Sequence, residues 1–347
     1  MKKTVVLLVF LLLLSFCACH KTPAEEATGS SVTEATSTEA ASTEATEENT
    51  EEKLTEKTTE EESSTKDYIS SPVLSENIKG CYYGAKTGTS STYTGLEPLP
   101  LTDFAGTVFE NERSLPDKTI EHSFGVAKNE EAHEISKANQ KFFDDGDYDA
   151  LAWDNKTEEK AVYLTFDCGY ENGYTAKILD VLRDKNVKAA FFCTLPEMRE
   201  NPEIIARMIN EGHIVGNHSV THPDFSALTR REMYEEVKGF DDYIREHFGY
   251  SSLYFRYPQG KYSENSLDML NSMGFKCIFW SLAYEDWNLN AQKGAEHAVE
   301  TVIGRIHPGA VMLLHAVSPD NAEALGEIID TARSMGYEFK LISEADI

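Results

Sequence analysis

The C-terminal part of the sequence predicts an α/β fold, a distorted and incomplete (β/α) barrel of about seven strands, on three observations. From Lys160 onward, short apolar runs alternate with longer stretches of helical spacing, the pattern of a parallel sheet with crossover helices. Seven such units occupy about 190 residues, which suits an incomplete barrel better than a full eight-stranded one. The reactive side chains fall at the carboxyl ends of the apolar runs, and in a parallel barrel those ends share one face. A doubly wound open sheet is the alternative.

In chain order, the first expected element is a leader. Lys2 and Lys3 precede an apolar run from Val5 to Phe16, too short for a comfortable membrane span but right for a secretory signal. The run ends Phe16-Cys17-Ala18-Cys19, and a small residue before Cys resembles the lipobox of bacterial lipoproteins, although Phe16 is a poor fit. Residues 1–19 are therefore expected to be a lipoprotein-type signal peptide with Cys19 as the acylated residue. The protein would work outside the cytoplasm, anchored to the bacterial cell membrane; an ordinary cleaved signal or a short anchor is the other reading.

Residues 20–66 hold 13 Glu against four Lys, a local charge of −9, and almost nothing to bury. Such a segment cannot offset its ordering entropy, so it is expected to be a disordered Ser/Thr/Glu-rich linker. Residues 67–120, with scattered aromatics and no clear period, are expected to be a mostly irregular stalk or lead-in to a catalytic domain over 121–347. The formal charge of the 347-residue chain is −27, from 32 basic and 59 acidic side chains, which argues against a nucleic-acid partner. Six cysteines without a C-x-x-C pair leave the fold to rest on a packed core.

The expected strands are 161–166, 188–193, 213–217, 252–255, 276–281, 310–314 and 338–342. Helices are expected near 174–185, 202–211, 229–247, 263–273, 292–306 and 320–335. Thr229 followed three places on by Glu232 reads as a capping box. On this map Asp167 and Cys168 follow the first strand, His218 and His222 the third, Arg256 the fourth, Asp286 the fifth and His315 the sixth. His218-Ser-Val-Thr-His222 spaces two imidazoles four positions apart, so one helical turn would point both toward a single metal ion. Asp167 closes an apolar strand, where a carboxylate needs a positive partner or a chemical task.

These residues also carry a resemblance. Thr165-Phe-Asp-Cys-Gly169, His218-Ser-Val-Thr-His222, Arg256-Tyr-Pro-Gln-Gly260, Glu285-Asp-Trp287 and Leu313-Leu-His315 resemble, in order, the five motifs of the polysaccharide deacetylases, whose NodB-homology domain is a distorted barrel that removes acetyl groups from glycans. Gly169-Tyr-Glu-Asn-Gly-Tyr174, His315-Ala-Val-Ser318 and Asp320-Asn-Ala-Glu-Ala-Leu325 point to the delta-lactam-forming muramoyl de-N-acetylases of spore cortex peptidoglycan.

The resemblance implies that Asp167 is the general base, His315 the general acid, and His218 and His222 the ligands of a divalent cation that acidifies the attacking water. It implies that Arg256 and Asp286 together orient Asp167. The backbone N–H of Gln259 would face the developing oxyanion, and Trp287 with Leu314 would line a slot for the acetyl methyl. The partners implied are peptidoglycan glycan strands. Cys168 stands where most members have a second, metal-binding Asp. As a thiolate it would complete a Cys-His-His site suited to zinc; as a neutral thiol it would leave two protein ligands. The expected reaction is hydrolytic de-N-acetylation, with N-acetylmuramic acid as the foremost substrate and chitin-type or acetylated xylan substrates as alternatives. The rival class is a glycan-binding lipoprotein without turnover.

Overall fold

The computed structural model describes residues 78–84, 99–101, 103–157 and 159–347. The leader over 1–19 with Cys19, the linker over 20–66, and parts of 67–120 lie outside the described residues. The chain divides into Met1–Ser63 and Ser64–Ile347, and everything below concerns the second unit. Among the described residues no helix is long and apolar enough to cross a membrane.

The elements in order are β1 (Cys81–Tyr83), β2 (Ile120–Glu121), α1 (Glu134–Asp145), β3 (Ala150–Leu151), β4 (Ala161–Cys168), α2 (Thr175–Asp184), β5 (Ala190–Cys193), α3 (Leu195–Glu200), α4 (Pro202–Asn210) and β6 (Ile214–Asn217). They continue with α5 (Arg230–Phe248), β7 (Tyr250–Ser252), β8 (Tyr254–Phe255), β9 (Lys261–Tyr262), α6 (Glu264–Ser272), β10 (Lys276–Ile278), α7 (Ala295–Ile303), β11 (Ala310–His315), α8 (Pro319–Ser334) and β12 (Glu338–Lys340). The main sheet runs β11-β4-β5-β6-β8-β10-β3, with every pairing parallel. Bridges from Trp153 to Ala310 and from Leu282 to Met312 tie its far edge back to β11, so the seven strands form a nearly closed barrel.

All eight residues of β4 are buried, as expected of a strand covered on both faces. It pairs with β11 on one side, from Ala310 opposite Val162 to His315 opposite Asp167. Its other side is shared, with β12 against Ala161–Tyr163 and β5 against Thr165–Cys168. The expected strand at 338–342 thus lies beside the barrel path, and the seventh barrel strand is β3, a two-residue element too short for sequence alternation to reveal. The expected strand at 252–255 is broken at Leu253: β7 pairs antiparallel with β1, while β8 joins the barrel. Within 67–120, Cys81 and Tyr83 are buried by that pairing.

Several helix ends follow directly from local chemistry. Thr229 and Glu232 form the expected reciprocal capping box at the start of α5, which ends at Gly249 in a left-handed conformation. Ser318, three residues after β11 ends, accepts a hydrogen bond from the Asn321 N–H and so caps the start of α8.

Candidate active site

At the carboxyl ends of the barrel strands lies a cavity of about 1070 Å³ whose wall includes Asp167, His218, His222, Gln259, Trp287 and His315. Trp287 is 55% exposed and Tyr170 50% exposed, so both aromatic faces are open to a ligand.

The Asp167 carboxylate is fixed by Arg256, whose Nη1 donates to Oδ1 at 2.8 Å. Arg256 is wholly buried; its Nε and Nη2 donate to the Ile278 and Phe279 carbonyls, and its guanidinium lies over the Phe192 ring. Burial alone would raise the Asp167 pKa, but the charges of Arg256, His218 and His315 outweigh it and hold the carboxyl below its ordinary value. Asp167 is therefore a carboxylate at neutral pH, ready to accept a proton.

His218 Nδ1 lies 2.8 Å from the Arg256 carbonyl, an acceptor, so Nδ1 carries the hydrogen and Nε2 the lone pair. That Nε2 stands 3.6 Å from Asp167 Oδ2. Burial lowers the His218 pKa to about 4 despite the opposing pull of Asp167, and burial lowers that of His222 as well. Both imidazoles are neutral, and their ring centroids are 4.9 Å apart.

The backbone that brings these imidazoles together is a loop, in place of the expected helical turn. Ser219 and His222 have left-handed φ of 73° and 58°. Asn217 Oδ1 accepts from the Ser219 N–H, Ser219 Oγ from the His222 N–H, and Glu236 from the N–H groups of Val220 and Thr221. Side chains thus satisfy a turn that the main chain cannot satisfy alone.

Beside Asp167 on the paired strand β11, His315 Nδ1 donates to Asp286 Oδ1 at 2.7 Å, and its backbone N–H donates to Oδ2 at 2.8 Å. Burial would lower the His315 pKa, but the Asp286 hydrogen bond and charge, with help from Asp167, raise it above its ordinary value. With Nδ1 committed, Nε2 is left to carry a transferable proton. Asp286, expected to orient Asp167 beside Arg256, instead orients His315. The residue missed in the sequence is Asn321, whose Nδ2 donates to Asp286 Oδ2 at 2.6 Å and whose Oδ1 accepts from Tyr284. Asp320-Asn-Ala belonged to the resemblance, but nothing in the spacing linked an amide on α8 to Asp286.

Two expectations are corrected by strand parity. Successive side chains of a strand face opposite ways. In β11, His315 and Leu313 face the cavity, so Leu314 is turned into the core and is 0% exposed; Leu313 takes its place in the wall. In β4, Asp167 faces the cavity and Cys168 does not. Cys168 lies opposite Cys193 on β5, and the contact with that thiol together with burial raises its pKa well above the ordinary value. It is a neutral buried thiol, so the Cys168 metal-ligand expectation fails at that position. Among the described residues no set of three or more His, Cys, Asp or Glu side chains converges as a metal site.

The chemistry of the donors present does fit a cation held by two imidazoles. A neutral His218 Nε2 and the Asp167 Oδ2 are both acceptors, and two acceptors facing each other at 3.6 Å are stabilised by a positive charge between or beside them. Gln259, with a left-handed φ of 59°, sits on the loop after β8, where Gly260 is pressed so close to Trp280 that a Cβ would come within 2.8 Å of it.

Comparison with known proteins agrees with this arrangement. A family model described as polysaccharide deacetylase matches residues 154–278. The peptidoglycan-N-acetylmuramic acid deacetylase PdaA of Bacillus subtilis is 40% identical over 67% of this chain and 87% of its own length. The chain belongs to the polysaccharide deacetylase family. The solved structure of Bacillus subtilis PdaA, a family 4 carbohydrate esterase, superposes with a TM-score of 0.62 at 39% identity, covering 67% of this chain and 98% of that one. A peptidoglycan-N-acetylglucosamine deacetylase of Bacillus cereus is 32% identical over 55% of this chain and 70% of its own length. This deacetylase is thus a hydrolase with the nearly closed barrel of its family.

Proposed function

We propose that this deacetylase removes the acetyl group from N-acetylmuramic acid residues of peptidoglycan, on the route to muramic delta-lactam. The observation that carries the reading is the placement of two unlike pairs side by side at one cavity, Asp167 with Arg256 and His315 with Asp286, on the paired ends of β4 and β11. The 40% identical relative, a peptidoglycan-N-acetylmuramic acid deacetylase, favours the muramic sugar.

In this reading Asp167 accepts a proton from the attacking water, because Arg256 keeps it ionised and orients it. His315 Nε2–H protonates the departing sugar nitrogen, because an amine anion is a very poor leaving group. His218 and His222 would hold a divalent metal ion, which when bound supplies Lewis-acid polarisation of the amide carbonyl and a more acidic water. Zinc fits the imidazole donors. Trp287 and Leu313 flank the position of the acetyl methyl, and the Gln259 main chain faces the amide oxygen. The freed amine can then condense with the lactyl carboxyl of the same residue, the new C–N bond replacing a carboxyl C–O bond with loss of water.

The leader over 1–19, acylation at Cys19 and the acidic linker over 20–66 fit an enzyme tethered outside the cytoplasm, within reach of glycan strands. Incubation of residues 67–347 with defined glycan strands, read by acetate release and product mass, tests the reading. Release of acetate with an amine or lactam at the muramic position is expected. Release only from N-acetylglucosamine units would move the substrate assignment to the other peptidoglycan sugar, and no release under several divalent metals would overturn the activity.

A further inference from the structure

We infer that Arg305 is the specificity-determining residue that binds the lactyl carboxylate of the muramic substrate. Arg305 follows α7, and its side chain lines the same cavity as Asp167, His218, His222 and His315. Among the described residues it is the one Lys or Arg in that wall. Its Nη1 donates to the Ala283 carbonyl at 2.6 Å, which points the guanidinium along the wall and leaves further N–H groups uncommitted. Among the described residues Arg305 makes no ion pair. This is notable in a chain with 59 acidic and 32 basic side chains, where a carboxylate partner is easily found.

Arg256 is already spent on Asp167, and Glu285, which also lines the cavity, accepts a hydrogen bond from Asn288. With Asp167 balanced by Arg256, Glu285 is left, among the described residues, without a cation, and an anionic sugar entering beside it is best received where another cation is free. A guanidinium is suited to the task, since its fork of donors matches a carboxylate.

The position also agrees with the substrate's covalent structure. The lactyl ether and the acetamido group of N-acetylmuramic acid sit on adjacent ring carbons, close enough to condense into a six-membered lactam. A group that reads the carboxylate must therefore share the cavity of the residues that act on the amide. N-acetylglucosamine lacks the carboxylate and has nothing to offer Arg305.

This assignment rests on the muramic reading above, and the test separates the two. The full chain is assayed on glycan strands bearing free lactyl carboxylates and on the same strands with that group converted to the neutral carboxamide. For the native enzyme, KM for the carboxamide strands is expected to be about ten- to a hundredfold higher, the size of one charge-assisted hydrogen bond, with kcat less affected. Arg305→Gln should remove that difference, and Arg305→Lys should restore part of it. A native enzyme that treats both strands alike overturns the assignment, and so does an Arg305→Gln variant that keeps the native ratio or loses kcat equally on both strands. Should Arg305→Gln fail to fold, the native comparison and Arg305→Lys still decide. If no acetate leaves the muramic position of either strand, the muramic reading itself falls.

Discussion

The two halves of the active site use the same side chain for opposite ends. On the base side, Asp167 is paired with a buried guanidinium and kept ionised by a positive charge that cannot be released. On the acid side, Asp286 faces an imidazole and a neutral amide, and its charge is used to hold a proton on His315. What an aspartate does here is decided by its partner, Arg256 or His315, and the two environments push the pKa values of the acid and the base apart.

The largest effect should come from breaking the base side. Asp167→Asn is expected to lower kcat/KM for acetate release by about a thousandfold, since the amide cannot accept the proton. Circular dichroism should show the fold retained; retention of substantial turnover would remove Asp167 from the role of base.

Asp286→Asn addresses the acid side and should cost about a hundredfold at neutral pH. It should also move the high-pH limb of kcat/KM toward acid, because the group that raises the His315 pKa is gone. In the native enzyme activity should fall at low pH as Asp167 protonates, below the usual carboxylate range, and at high pH as His315 loses its proton, above the usual imidazole range. The same shifts act on stability. The His315 contribution is fully present below the unfolded-state pKa and is lost as pH rises through the folded one. The Asp167 contribution is present above its unfolded pKa and is lost as pH falls through the folded one. An unmoved high-pH limb in Asp286→Asn would detach Asp286 from His315.

Asn321→Ala should cost about tenfold, because Asp286 loses one of its donors while keeping the His315 contacts. Its signature is a smaller displacement of the same high-pH limb, in the direction opposite to the Asp286→Asn shift, since a carboxylate with one donor fewer holds the imidazolium proton more firmly. The smallest effect belongs to Cys168→Ala, which should leave kcat and the metal dependence within about threefold, as a thiol turned away from the cavity has no ligand to give up. A large loss of metal affinity in that variant would return Cys168 to the site.

Much of this arrangement was legible in the chain. Each expected helix from 174 onward is present, and the capping box at Thr229 and Glu232 formed as local chemistry required. Asp167, His218, His222 and His315 meet because strand ends of a parallel barrel share a rim. The short strand β3 was not legible, since two residues carry no period. Leu314 and Cys168 were misplaced because a motif names residues without stating which face of the pleat each takes.

By itself, then, the sequence determined the alternation of strands and helices, the charge, and the residue types at the rim, all of which depend on neighbours along the chain. Only the tertiary structure decided that Asp286 serves His315, that Asn321 supports it, and that Cys168 is paired with Cys193 inside the wall. Those outcomes depend on contacts between elements 25 to 35 residues apart, such as Asp286 with Asn321 or Cys168 with Cys193, where direction and register select the partner and sequence spacing carries no information about either.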